Sequence, residues 1–154
     1  AAVKADEGNW ASKADRSAEL TASSEDVEKA VAGKSVQVID ARDNAHFLGL
    51  SKSSSTSAPG HVPGAKNVFT GLMSTQGGDA ARLMGADTYR DIFKMSGVDP
   101  QAAAISYCNT GHQAAGTWFV LSEIVGNKNV KLYDGSMHQW TLEKRPLESV
   151  ARAK

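Results

Sequence analysis

The stretch "ISYCNTGHQAAGTWFVLSEI", residues 105–124, decides how the rest of the chain is read. An apolar run passes through Tyr107 into Cys108, the single cysteine of the protein. Short and small residues follow, and from Gln113 the apolar positions Ala114, Trp118, Leu121 and Val125 recur at helical spacing, which predicts a helix over 113–125. The pattern is a buried strand, a tight loop and a helix, with a thiol where the strand ends. The Trp118, Leu121 and Val125 stripe is a core face.

Working outward, strands and helices alternate. "SSEDVEKAVAGK" is a helix: Ser23 caps it, acids fill its first turn, Val27, Ala30 and Val31 share a face, and Gly33 stops it. "SVQVID" is a β-branched strand ending at Asp40, and "NAHFLG" suits one helical turn. The polar segment Ser51 to Gly60 is a loop too long for a tight turn. A brief strand is expected at Lys66 to Val68, a loop over "TQGGDAARLMG", an amphipathic helix carrying Tyr89, Ile92 and Phe93 before Gly97, and a strand in "AAAIS". "NVKLYDG" supplies a last strand and a turn at Asp134-Gly135. Residues 1–20, rich in Ala, Lys, Asp and Ser, read as an extended lead-in or linker pinned by Trp10. The alternation predicts a parallel sheet covered on both faces, with ligands beyond the carboxyl ends of its strands, where Cys108 stands.

Composition narrows the function classes. The 154 residues suit one domain, with 41% hydrophobic and 22% charged residues. Seventeen basic residues balance seventeen acidic ones without a basic block, so neither nucleic acid nor a membrane surface is an expected partner. No apolar run reaches transmembrane length. The four histidines and one cysteine lack metal-ligand spacing, so neither a metal nor another cofactor is expected. The chain opens Ala1-Ala2-Val3 without Met, which fits either a mature end left by signal cleavage or a cut boundary.

The loop Cys108-Asn109-Thr110-Gly111-His112-Gln113 can curl so that successive N–H groups converge, and the helix after it adds the positive end of its dipole. A thiol at the centre of such a cradle is favoured as thiolate, the nucleophilic form. A buried structural cysteine fits the position alone equally well.

Four motifs in order resolve this choice: "VIDARD", "APGHVPGAKNV", "YCNTGHQAAG" and "VKLYDGSMHQW". Together they resemble the signatures of rhodanese domains, closest to the catalytic C-terminal half of tandem thiosulfate sulfurtransferases, with an active loop similar to that of small periplasmic rhodaneses. The resemblance implies a three-layer α/β/α domain with a central, mainly parallel sheet over residues 21–154. It also implies an enzyme, a thiosulfate sulfurtransferase, moving sulfane sulfur from thiosulfate or another persulfide donor to cyanide or a thiol through a persulfide on Cys108. The alternative it leaves is a sulfur carrier, relaying persulfide sulfur between a donor protein and an acceptor protein. A periplasmic location after signal cleavage follows from the loop resemblance, with the cytoplasm as alternative. Asn109, Thr110, Gly111, His112 and Gln113 are the implied donor-binding residues, with Arg42 and His46.

This chain departs from the thiosulfate-specific pattern. The loop position expected to be basic is Thr110, and the second cationic position is His46, while Arg42 matches an arginine more structural in character. Protonated His112 can stand in for the missing cation, or it is an exposed loop residue; His46 can equally be a cap of the short helix. His61 belongs to the Gly-His-Val-Pro-Gly turn, His138 to the pocket rim, and Asp40 to a structural hydrogen bond with nearby backbone. A phosphatase or arsenate reductase of the Cys-x5-Arg type is disfavoured, because position 114 is Ala and no guanidinium is there to hold phosphoryl oxygens.

Overall fold

The computed structural model describes residues 8–9, 11–77 and 80–150. Residues 1–7 and Trp10, on which the pinning of the lead-in rests, lie outside the described residues. Four parallel strands form the central sheet in the order β2-β1-β5-β6: β1 is Gln37–Asp40, β2 Lys66–Asn67, β5 Ala104–Tyr107 and β6 Val130–Leu132. The register sets Asp40 against Tyr107 and Asp40 against Asn67, so the carboxyl ends of β1, β2 and β5 finish level.

Strand alternation divides the core in two. Val38, Ile105 and Tyr107 face one side, where they pack with Val27 and Ala30 of α2 (Ser24–Gly33) and with Met137 and Trp140 of α6 (Ser136–Leu142). Ile39 and Ala104 face the other side, against Tyr89 and Phe93 of α4 (Ala86–Met95) and the segment Val120–Val125. A sheet covered on both faces is the three-layer α/β/α arrangement expected. The helix α2 begins with a full capping box, Ser23 Oγ accepting from Asp26 N–H and the Asp26 carboxylate accepting from Ser23 N–H.

Three local expectations are corrected, and one element is added. Residues 17–20 form a helical turn, α1 (Ser17–Leu20), and the chain then joins the sheet edge through Ala22 N–H and Leu132 C=O at 2.9 Å. The segment "TQGGDAARLMG" holds an antiparallel hairpin, β3 (Thr75–Gly77) and β4 (Ala80–Arg82). Its glycines and alanines carry too little side-chain contrast for an alternating pattern to register. The helix expected over 113–125 starts one residue earlier as α5 (His112–Phe119) and continues as a π-helical turn, Val120–Val125, ending at Gly126 with φ of +89°. The short helix α6 follows the Asp134-Gly135 turn and was not expected.

Candidate functional site

Cys108 is the first residue beyond β5. Ala41, the first beyond β1, donates its N–H to Tyr107 C=O at 2.9 Å, which brings the two strand ends together. Cys108 packs with Ala41, Ala114 and Leu132 and is 1% exposed. Ala41 and Ala114 place only methyl groups against the thiol.

The loop between Cys108 and α5 takes its shape from α6. The first N–H groups of a helix have no partner within it. Here Met137 N–H donates to Cys108 C=O (3.1 Å) and His138 N–H donates to Asn109 C=O (2.9 Å). All peptide bonds described are trans. The C=O and N–H of one trans peptide point in opposite directions. Aiming these two carbonyls at α6 therefore aims the Asn109 and Thr110 N–H groups away from it. Those N–H groups, with the His112 and Gln113 N–H groups of the α5 N-terminus, have no acceptor among the described residues. Open N–H groups at a loop and a helix N-terminus can hold an anion, an attraction that the helix dipole reinforces.

Gly111 closes the turn with φ of +82°, a conformation that favours glycine. Its N–H is committed to Ser136 Oγ at 3.0 Å, so it is not among the open donors. Asn109 is half-buried, whereas Thr110, His112 and Gln113 are exposed. Thr70 Oγ1 donates to Gln113 C=O at 3.3 Å and ties the first turn of α5 to the 3-10 turn Thr70–Met73.

The remaining sequence-predicted residues fall into two groups. Arg42 is built into the scaffold: it is 2% exposed, its Nη2 lies 2.6 Å from Asp40 Oδ2 and donates to Gly60 C=O at 2.8 Å, and only Nη1 reaches toward the loop, 3.5 Å from Asn109 Oδ1. Asp40, fully buried, also accepts from Arg42 N–H at 2.9 Å, the structural bond expected of it. Tyr107 lies beneath this pair, its hydroxyl accepting from Val62 N–H at 3.1 Å. Burial, and then the Asp40 carboxylate, push its phenol well above the ordinary value. His46 sits in α3 (Asn44–Phe47), where its Nδ1 is 2.7 Å from Asp43 Oδ2, so any positive charge on it is shared with a carboxylate. The cap of α3 is Asp43 rather than His46, with Oδ1 accepting from His46 N–H at 3.0 Å. Burial raises the Asp43 carboxyl, but the hydrogen bonds from His46 outweigh it and hold it below its usual value.

His61 stacks on Phe47 at 3.8 Å between ring centroids and bonds Phe47 C=O, a structural placement. His138 borders the loop through its N–H and holds Ser55 C=O with Nδ1 at 2.6 Å, anchoring the long polar loop. Ser136, which the sequence alone assigns no role, stands in the motif "VKLYDGSMHQW" as the first residue of α6. A groove of about 530 Å3 lies elsewhere, lined by Ala103, Ile105, Val36 and Val130 near the amino ends of the strands and by Lys29 and Lys131. Among the described residues no group of three or more His, Cys, Asp or Glu is placed to hold a metal, and no helix is long and apolar enough to cross a membrane.

The fold agrees with what comparison finds. The model of the rhodanese-like domain matches residues 23–143. The chain belongs to the rhodanese-like domain family. It is 32% identical over 127 residues to a "putative thiosulfate sulfurtransferase" of Haloferax volcanii, covering 79% of this chain and 43% of that protein. It is 30% identical over 120 residues to a thiosulfate sulfurtransferase of Corynebacterium glutamicum, covering 73% of this chain and 38% of that protein. This rhodanese-like domain thus spans less than half the length of these curated relatives. Among solved structures, the Tum1 protein of Saccharomyces cerevisiae superposes with a TM-score of 0.72 at 23% identity, covering 88% of this chain and 48% of that one. An anaerobic ergothioneine biosynthesis enzyme of Chlorobium limicola gives 0.75 at 20% identity, covering 87% and 33%. These two likenesses establish the fold.

Proposed function

We propose that this domain is a sulfurtransferase that carries sulfane sulfur on Cys108. The observation that supports it most is the thiol's position at the end of β5, beside open N–H groups of the Asn109–Thr110 segment and of the α5 N-terminus. In the first half-reaction the Cys108 thiolate attacks the outer sulfur of thiosulfate. A bond forms between Sγ and that sulfur, the sulfur–sulfur bond of thiosulfate breaks, and sulfite leaves with its electron pair. In the second, cyanide or a thiolate attacks the terminal sulfur, leaving as thiocyanate or a persulfide and returning Cys108 as thiolate. No external oxidant or reductant is needed, and both half-reactions pass through one covalent intermediate. The persulfide is an anion, so fixed N–H donors stabilise it without a general base.

The sulfur-carrier reading is kept for one reason: residues 108–113 include no Lys or Arg, and Arg42 is spent on Asp40 and Gly60. A dianionic donor then meets only N–H groups and His112, whereas a donor protein's persulfide needs no such clamp. The deciding experiment is the intact mass after incubation with thiosulfate. Gain of one sulfur atom, removed by cyanide and absent in Cys108→Ser, is the expected result. A wild-type protein that never gains sulfur from thiosulfate or from a low-molecular-weight persulfide overturns the sulfurtransferase reading. Loading from the persulfide but not from thiosulfate selects the carrier.

A further inference from the structure

The N-terminal residue of α6 carries a contradiction. Ser136 is fully buried and has φ of +50°, in the left-handed region where glycine is the favoured residue. Its side chain accounts for the exception. Ser136 Oγ accepts from Cys108 N–H at 3.0 Å and from Gly111 N–H at 3.0 Å, and donates to Tyr133 C=O at 2.9 Å. A hydroxyl has one proton to give and two lone pairs. All three are used, so it has nothing left for a substrate.

We infer that Ser136 is the positioning residue of the sulfur-bearing loop: one oxygen pins both ends of the turn, Cys108 and Gly111, and fixes where the sulfur sits and which N–H groups face it. This rests on the sulfurtransferase reading for its catalytic consequence, not for its geometry. Without the hydroxyl, the Cys108 and Gly111 N–H groups are left buried and unpaired, and they compete with Asn109 and Thr110 for any anion near Sγ. The loop also loses the anchor that keeps Cys108 beneath it.

Two variants separate positioning from mere stability. Ser136→Ala removes the hydroxyl and keeps the left-handed strain; Ser136→Gly removes both. Ser136→Gly is therefore expected to melt above Ser136→Ala, yet both load sulfur from thiosulfate about tenfold or more slowly, as expected for loss of an aligning interaction. Alkylation of sulfur-free Cys108 by iodoacetamide moves the other way, several-fold faster in both, because the thiol is released. If loading and alkylation instead follow melting temperature, with Ser136→Gly near wild type, Ser136 is only scaffold and the inference falls. If wild-type protein takes up no sulfur, the functional reading fails while the alkylation rates still decide on Ser136. Should neither variant fold, amide hydrogen exchange of the wild type decides. The Cys108 and Gly111 N–H groups should exchange at least about tenfold more slowly than those of Asn109 and Thr110; equal rates overturn the inference.

Discussion

Gly111 lies against the main chain of Asp134. A Cβ on Gly111 would stand 3.0 Å from the Asp134 carbonyl oxygen and overlap its Oδ1, at a φ of +82°. Gly111→Ala therefore meets a left-handed backbone cost of about 1–2 kcal/mol, together with a close contact with the Asp134 carbonyl oxygen, which cannot swing away as the exposed Asp134 side chain can. The variant should melt several degrees lower, since about 1 kcal/mol corresponds to roughly 2–4 °C in a domain of this size. Sulfur uptake by Cys108 should fall with it, because the loop reopens. A Gly111→Ala protein with unchanged melting and uptake would mean that the turn is not held against Asp134.

What was legible in the sequence follows the strength of each local signal. The capped helix from Ser23 and the face of Tyr89 and Phe93 were readable because burial imposed helical periodicity on them, and the strand ending at Asp40 because its β-branched run is buried nearly throughout. The hairpin Thr75–Gly77 with Ala80–Arg82 was hidden by small residues, and α6 by its start at a serine with positive φ. At the site, Cys108 and the open loop were legible because a thiol between a strand and a helix has distinctive chemistry. The role of Ser136 was not, since its bonds to Cys108 and Gly111 join residues 28 and 25 positions away. The resemblance already implied a structural Arg42, but not its partner Gly60, which lies across a long loop.

The Asp40–Arg42 pair should behave as a scaffold element. Both side chains are at most 2% exposed, so removing one partner leaves the other charge buried and unpaired. Arg42→Met is expected to destabilise by about 3–5 kcal/mol, in the range for broken buried pairs. The double variant Asp40→Asn, Arg42→Met should recover much of that loss, giving a coupling energy well above the error of a double-mutant cycle. Urea unfolding of the four proteins measures it. A KM for thiosulfate that rises in the double variant despite recovered stability would return Arg42 to the donor-binding set.

Tyr107 makes stability depend on alkaline pH. Its buried phenol, beside Asp40, titrates well above its ordinary value, so folding favours the neutral form. Because the folded value is raised, the stabilisation is complete below the unfolded value of about 10 and is lost as pH climbs from there toward the folded value. Tyr107→Phe leaves Val62 N–H without its acceptor and should cost about 1–3 kcal/mol at neutral pH. The same variant should flatten the loss of stability above pH about 10. Melting curves between neutral and strongly alkaline pH test both; an equally steep alkaline limb in Tyr107→Phe would assign the titration to another group.

The two histidines offered as donor cations are distinguished by their partners. His46 Nδ1 lies 2.7 Å from Asp43 Oδ2, so the ring is held by a neighbour on its own helix. His112 opens α5, is exposed, and its ring has no hydrogen-bond partner among the described residues. Replacing His112 with Arg places a permanent charge beside the open N–H groups and should lower KM for thiosulfate a few-fold, the scale of an exposed ion pair at about 0.2–1 kcal/mol. The gain should shrink as salt is raised, since exposed charges are screened. His112→Ala should raise KM while leaving the turnover number nearly unchanged, because binding and not the displacement at sulfur is weakened. His46→Ala should leave KM alone and lower stability slightly through loss of the Asp43 contact. If His46→Ala moves KM and His112→Ala does not, the donor lies on the α3 side of the loop. If neither does, the N–H groups of Asn109, Thr110 and the α5 N-terminus hold the donor unaided, and a persulfide suits that site better than a dianion.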